Sequence, residues 1–225
     1  MSDVENYPWP MRLLSTPEAR ELGELNLMEA DLQHVVHALK ILIEQFGGRD
    51  NFNAGEEVIR LSLYRDAVLQ IVSCFDGSGS AALYLKISEV YVGDPNAASY
   101  LESLRAIRGS FVAHRAGAAR QGIVGLIASE EKVIGTASLS VRYHVPALTD
   151  LKHMHDFALK AGRHVIGRKT KLDEHVGEFV MAMPIEEAHK LPEAGIRAPL
   201  VEELHNSREA FATGRIRKNP KISVD

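Results

Sequence analysis

Between Leu104 and Arg115 the chain reads Leu-Arg-Ala-Ile-Arg-Gly-Ser-Phe-Val-Ala-His-Arg. Arg108 and His114 stand there with five residues between them, flanked by Arg105 and Arg115. A guanidinium is planar and permanently charged, with paired N–H donors that match phosphate oxygens. An imidazole is the one side chain whose unperturbed pKa lies near neutral pH. Residues 103–129 carry Arg105, Arg108, Arg115 and Arg120 and no acid, a local charge of +4. Clustered charge of one sign focuses the field enough to hold phosphates on one local face. The plainer alternative is a set of solvated helix faces.

The rest of the chain sets limits on that chemistry. The net charge is −4, so a general nucleic-acid coat, basic throughout, is excluded. Residues 1–60 hold eleven acids against five Lys or Arg, whereas residues 142–171 hold seven basic residues against Asp150 and Asp156. His205 to Asp225 adds five basic residues against two acids.

Other constellations fall short of a site. Glu186/His189 and Glu202/His205 have the i, i+3 spacing of di-iron bundles. They sit, however, in short segments divided by Pro192 and Pro199. Asp31, His34 and His37 lie too far around one helix to face a single ion. His153 and His155 point to different faces, and His144, His164 and His175 join them in a positive patch rather than a ligand set. Gly77-Ser78-Gly79-Ser80 lacks the lysine of a phosphate loop. No metal and no cofactor is expected.

Positioning these residues requires helices. Ser15 and Glu18 have capping-box spacing and Pro17 fits a first helical turn. Leu22, Leu25, Met28, Leu32, Val35, Leu39, Leu42 and Phe46 then mark a long amphipathic helix that Gly47-Gly48 ends. A second helix follows the linker Arg49–Gly55 and runs to Phe75, with Val58, Leu61, Val68, Ile71, Val72 and Phe75 as its buried stripe. Asp76-Gly77-Ser78-Gly79-Ser80 breaks it. A third helix is predicted over Ala81–Tyr91. The fourth turns Leu101, Leu104, Ile107 and Phe111 inward and ends near Gly117. Four such helices with short connections point to an antiparallel bundle. Gly122–Ile127 and Val133–Val145, rich in Val, Ile, Ser and Thr, read as a β-hairpin, with two helix fragments as the alternative. Helix returns from Pro146 to about Ile166, and short helices are expected at Ile185–Leu191 and Leu200–Thr213. The Pro-punctuated lead-in Asn6–Pro10 tucks its aromatics against the body, and the basic tail is expected to be mobile.

The fold class is therefore mainly α. Residues 1–170 form the helical domain and residues 171–225 a helical C-terminal extension packed on it. Hydrophobic content of 45% and charged content of 25% fit a water-soluble globular chain. Cys74 alone cannot close an intramolecular disulfide, and no apolar run reaches the ~18 residues of a membrane span. Met1-Ser2-Asp3-Val4-Glu5 is acidic where a secretory signal is basic, so a cytoplasmic location without membrane attachment is expected.

An arginine, five residues and a histidine at the end of an amphipathic helix in a bundle resembles the Arg-x(4–6)-His signature of HEPN domains. Leu69-Gln70-Ile71-Val72-Ser73-Cys74-Phe75-Asp76 and the Leu104–Arg115 frame are similar to the abortive-infection branch of that superfamily. The likeness covers roughly residues 20–120. It implies a metal-independent RNA endonuclease acting as a homodimer, in host defence or beside an antitoxin partner. The ribose 2′-OH would attack the adjacent phosphate and leave a 2′,3′-cyclic phosphate and a 5′-OH. Carried onto this chain, the resemblance makes His114 the proton carrier and Arg108 the group that stabilises charge on the phosphorane. Arg105, Ser110, Arg115 and Arg120 would bind the flanking RNA.

Six positions place His114 about 120° around an ideal helix from Arg108. Either the helix distorts near Gly109, or two symmetry-related helices supply the pair across a dimer cleft, and the dimer is the preferred arrangement. Gly109 departs from the family pattern, in which a polar residue often follows the arginine of catalytic members. The alternative function is accordingly a non-catalytic binding module for RNA, a nucleotide or a protein partner. A purely structural reading pairs Arg108 with a carboxylate of the acidic first helix.

Overall fold

The computed structural model of the protein describes residues 11–76, 83–112, 120–130, 132–142 and 145–193. The expected lead-in at Asn6–Pro10, the end of the fourth helix near Gly117, the helix at Leu200–Thr213 and the basic tail lie outside the described residues. Among the described residues the architecture is mainly helical with one two-stranded antiparallel sheet. No described helix is long and apolar enough to cross a membrane.

The first helix, α1 (Pro17–Phe46), has Pro17 at its first position, where the missing N–H has no partner to lose. Thr16 rather than Ser15 caps it: the Thr16 hydroxyl accepts from the Ala19 N–H at 3.1 Å. Its stripe from Leu25 through Met28, Leu32, Val35, Leu39 and Leu42 to Phe46 is buried.

α2 (Ala54–Phe75) opens with a full capping box. Asn53 accepts from the Glu56 N–H and Glu56 accepts from the Asn53 N–H, both at 3.0 Å. The Asn53 backbone bond first, and Arg49 second, hold the Glu56 carboxyl below its usual range. Tyr64, Val68, Ile71, Val72 and Phe75 are buried, but Val58 is exposed. Followed back from Tyr64, the inward spacing reaches Arg60 and Leu61, so Val58 turns outward. The Arg60 guanidinium lies 3.5 Å over the Phe52 ring.

The third helix is shorter than expected. α3 is a single turn, Ile87–Val90, preceded by extended backbone at Lys86. The Leu85 N–H donates to the Cys74 carbonyl at 2.8 Å, which ties this stretch to the end of α2 instead of to a helical turn of its own. α4 (Ala97–Val112) buries Leu101 and Leu104 and packs against α2. β1 (Arg120–Ala128) and β2 (Val133–Arg142) form the hairpin, in register from Arg120↔Arg142 to Ile127↔Gly135 with a bulge before Ala128. At its tip the Ser129 N–H donates to the Lys132 carbonyl at 2.8 Å. α5 (Leu148–Met181) runs well past Ile166 and is followed by the single turn α6 (Ile185–Ala188).

The described chain divides into two compact units, the division falling within α1 and α5. One comprises residues 23–170. Its core joins the α1 and α2 stripes to Leu101 and Leu104 of α4 and to Leu151, Met154, Phe157, Ala158, Ala161 and Val165 of α5. Tyr91 stacks on Phe157 with ring centroids 4.3 Å apart and donates its hydroxyl to the Phe157 carbonyl at 2.6 Å. Burial pushes the Tyr91 phenol above its ordinary pKa. The other unit comprises residues 11–22 and 171–193. There Arg12 and Glu193 form an antiparallel bridge, and the Leu13 N–H donates to the Pro192 carbonyl at 2.8 Å.

Candidate functional site

The site begins with the way α2 stops. Asp76 is its C-cap, in extended conformation, and its N–H donates to the Val72 carbonyl at 3.0 Å. A carboxylate at a helix C-terminus meets the negative end of the helix dipole, so it needs cations nearby. α4 supplies them. Arg105 and Arg108 are three residues apart and therefore share one face of the helix.

Arg105 is fully tied down. Its Nε donates to Asp76 Oδ1 at 2.8 Å and its Nη2 lies 2.7 Å from the same oxygen. Its Nη1 donates to Glu102 Oε1 at 2.5 Å. Burial works against the charge, and the bonds from Glu102 and Asp76 outweigh it, so the Arg105 pKa lies above the ordinary arginine value. Arg108 is held at one nitrogen only: Nη1 donates to Asp76 Oδ2 at 2.6 Å. Among the described residues its Nε and Nη2 have no acceptor, and its side chain is 36% exposed whereas that of Asp76 is 14% exposed. One carboxylate thus orients two guanidiniums, and among the described residues the second is left with donors to offer. An anion with oxygens in one plane fits those remaining donors.

The other expected site residues are distributed differently. Ser110 lies on α4, but its hydroxyl donates to the Ala106 carbonyl at 2.9 Å within its own helix. Gly109 is exposed, and a Cβ there would meet nothing within 4 Å. Arg120 opens β1, with its backbone opposite Arg142. His114 and Arg115 lie outside the described residues. The structure therefore brings together Arg105 and Arg108 and adds Asp76, which the sequence reading passed over. The expected partner of Arg108 on the acidic first helix is replaced by this acid at the end of α2. The signal was available: an acid closing an apolar helix just before a Gly-Ser break is unfavourably placed unless cations meet it.

The remaining clusters are dispersed. His34 Nε2 lies 2.7 Å from Asp66 Oδ2, whereas His37 Nδ1 is bound to the Gln33 carbonyl at 2.8 Å. Burial raises the Asp31 carboxyl above its usual range, His34 opposes the shift and Asp66 adds to it. Among the described residues no group of three or more His, Cys, Asp or Glu could hold a metal ion. His153 meets Tyr100 edge-on, and Glu186 and His189 are exposed. Glu202 and His205 lie outside the described residues. An open depression of about 550 Å³ beside Ile87, Tyr91, Asp94 and Ala97 gathers no comparable set of charges. Cys74 is buried, and burial pushes its thiol up to about 12. Compared with protein-family models, curated proteins and solved structures, the chain matches none.

Proposed function

We propose that this protein is a metal-independent RNA endonuclease of HEPN type, working as a homodimer. Arg108 stabilises the charge that grows on the phosphorane when a ribose 2′-OH attacks the adjacent phosphate. His114 carries the proton, and the products are a 2′,3′-cyclic phosphate and a 5′-OH. The observation that carries the reading is the anchoring of Arg108 by Asp76 at one nitrogen, with Nε and Nη2 meeting no acceptor among the described residues. A guanidinium fixed before the substrate arrives needs no reorganisation as charge develops, which is the condition for strong electrostatic stabilisation. The acid-free run over residues 103–129 supplies a local field that draws in a polyanion. Host defence, or neutralisation by an antitoxin partner, is the setting that the resemblance to the abortive-infection branch suggests.

A second reading has its own support. Gly109 leaves open space where catalytic members of the superfamily often carry a polar side chain. On that reading the protein binds RNA, a nucleotide or a protein partner without cutting it.

Purified protein incubated with RNA in EDTA separates the two. Cleavage with cyclic-phosphate ends, abolished by His114→Ala and reduced about a hundredfold or more by Arg108→Ala, is the expected result. Binding without cleavage across structured and single-stranded RNAs overturns the nuclease and leaves the binding module. RNA affinity and salt dependence that ignore the replacement of Arg108 and Arg115 by Ala overturn both nucleic-acid readings.

A further inference from the structure

From Phe157 to Thr170, α5 carries Lys160, Arg163, His164, Arg168 and Lys169 and no acid. Lys169 is turned to α1, where its Nζ donates to Glu29 Oε2 at 2.6 Å. Lys160, His164 and Arg168 follow one another at four-residue steps, so they line one side of the helix ~6 Å apart along its axis. That side borders α3. The Lys160 ammonium lies 5.0 Å over the ring of Tyr91, the C-cap of α3, a cation–π contact that orders it. At the other end of α3 the N-cap Lys86 donates to Glu89 Oε1 at 2.9 Å. The Glu89 carboxyl is held below its usual range, first by that bond against the opposing effect of burial, and further by Lys86, Arg168 and His164. Three basic side chains from two elements thus act on one carboxylate that is itself 44% exposed. The bond to Glu89, and to a lesser extent the neighbouring Tyr84, raise the Lys86 ammonium above its ordinary pKa. The Tyr84 ring is 46% exposed.

We infer that this side of α5, together with Lys86 and Tyr84, is a binding surface for a single-stranded nucleic acid. A row of cations that tracks the phosphates, with an exposed ring beside it for a base to stack on, is the combination such strands require. Phosphates lie along Lys160, His164 and Arg168, a base rests on Tyr84, and Glu89 is an internal counter-ion that the strand displaces from Lys86. A lipid surface would call for an apolar stripe beside the cations. α5 instead turns Phe157, Ala161 and Val165 into the core, and the exposed Ile166 stands on a different side of the helix. Cations and a ring engage phosphate and base rather than the ribose 2′-OH, so RNA and DNA strands share the surface. The inference goes beyond the proposed nuclease, whose chemistry at Arg108 requires that hydroxyl, and it uses none of the residues assigned there.

Fluorescence anisotropy of the full chain with a labelled single-stranded DNA oligonucleotide tests it, since DNA lacks the 2′-OH and cannot be cut by the proposed mechanism. Binding is expected, with a 2′-O-methyl RNA of the same sequence bound within about threefold. Lys160→Ala and Arg168→Ala should each weaken binding about threefold or more. Together they should flatten the slope of log affinity against log salt by about 1.4, the share of two phosphate contacts on a single strand. Tyr84→Ala should weaken binding at an unchanged salt slope. Glu89→Gln should tighten it about threefold, a gain that a misfolded chain cannot produce. Lys40→Ala, which removes a cation of α1 paired with Glu44, should change nothing. A wild-type chain that binds neither strand overturns the inference, as does an affinity indifferent to Lys160, Arg168 and Glu89. Tighter binding to phosphatidylserine vesicles than to either oligonucleotide, through the same residues, overturns it in favour of a lipid surface. A tenfold preference for the RNA strand overturns the sharing of the surface by RNA and DNA. Absence of RNA cleavage in EDTA with DNA binding retained overturns the nuclease and supports this surface as a separate one.

Discussion

Arg108 donates from Nη1 to Oδ2 of Asp76 at 2.6 Å, joining α4 to the C-cap of α2 across thirty-two positions of sequence. The bond fixes the rotamer of a side chain that would otherwise sample solvent. It also divides the labour between two arginines that look equivalent in sequence: among the described residues Arg105 is bound by both Asp76 and Glu102, and Arg108 by Asp76 alone.

That division gives the first prediction. Asp76→Asn should destabilise the protein by about 1–3 kcal/mol, because three charge-assisted contacts weaken and two cations lose their counter-charge. Arg105→Ala should cost more than Arg108→Ala, with the latter near ~1 kcal/mol given the partial exposure of the group. In a double-mutant cycle Asp76 should couple to both arginines. Urea unfolding of the single and double variants measures it, and additive effects would contradict the shared carboxylate.

Gly109 sits in the interior of α4 with open space where a Cβ would go. Gly109→Ala should raise stability by about 0.5–1 kcal/mol, since glycine gives up more chain entropy in a helix and no contact opposes the methyl group. Gly109→Asn tests the departure from the HEPN pattern, and faster RNA cleavage at unchanged fold is the expected outcome. Thermal melting and single-turnover cleavage read the two effects independently.

Cys74 should resist labelling by thiol reagents at pH 8 in the native protein and react at once in denaturant. With its thiol pushed up to about 12, only about one molecule in 10⁴ carries a thiolate at that pH. The sign of the pH effect follows. Above the ordinary thiol pKa the unfolded chain releases a proton that the folded chain retains, so stability falls as the pH climbs, by up to about 1.4 kcal/mol per pH unit. Cys74→Ala should remove that slope from a series of unfolding curves.

Tyr91→Phe keeps the ring stack on Phe157 and removes only the hydroxyl that reaches the Phe157 carbonyl. A loss of about 1–2 kcal/mol is expected, while Tyr91→Ala should cost about 3–5 kcal/mol through the cavity it leaves. Denaturant midpoints at unchanged slope distinguish these losses from a change in the unfolded state.

How much of this was legible in the sequence varied with the kind of signal. The inward stripe of α1 from Leu25 to Phe46 announced itself because an apolar residue at every third or fourth position has one geometric explanation. The hairpin was legible from its β-branched content, although Gly122, Gly125 and Gly135 diluted it. Val58 misled because apolar type alone does not set the rotation of a helix, whereas the spacing from Tyr64 to Phe75 does. The far half of α5 was missed since Arg168, Lys169 and Lys171 interrupt the apolar pattern, and beyond Val165 only Val176 is buried among the described residues of the helix, too few positions to set a period. Arg105 and Arg108 were singled out by type and spacing. Asp76 was not, because a partner thirty residues away is invisible to any local pattern and only helix packing brings it near.

The bridge between Arg12 and Glu193 bears on how shortened versions of the protein can be made. Arg12 also donates to the Leu191 carbonyl at 2.9 Å, and Leu13 to that of Pro192. Cutting the chain after residue 13 or before residue 191 would strip hydrogen-bond partners from a segment nearly the whole length of the polypeptide away. Any fragment meant to report on the native protein has to retain both stretches.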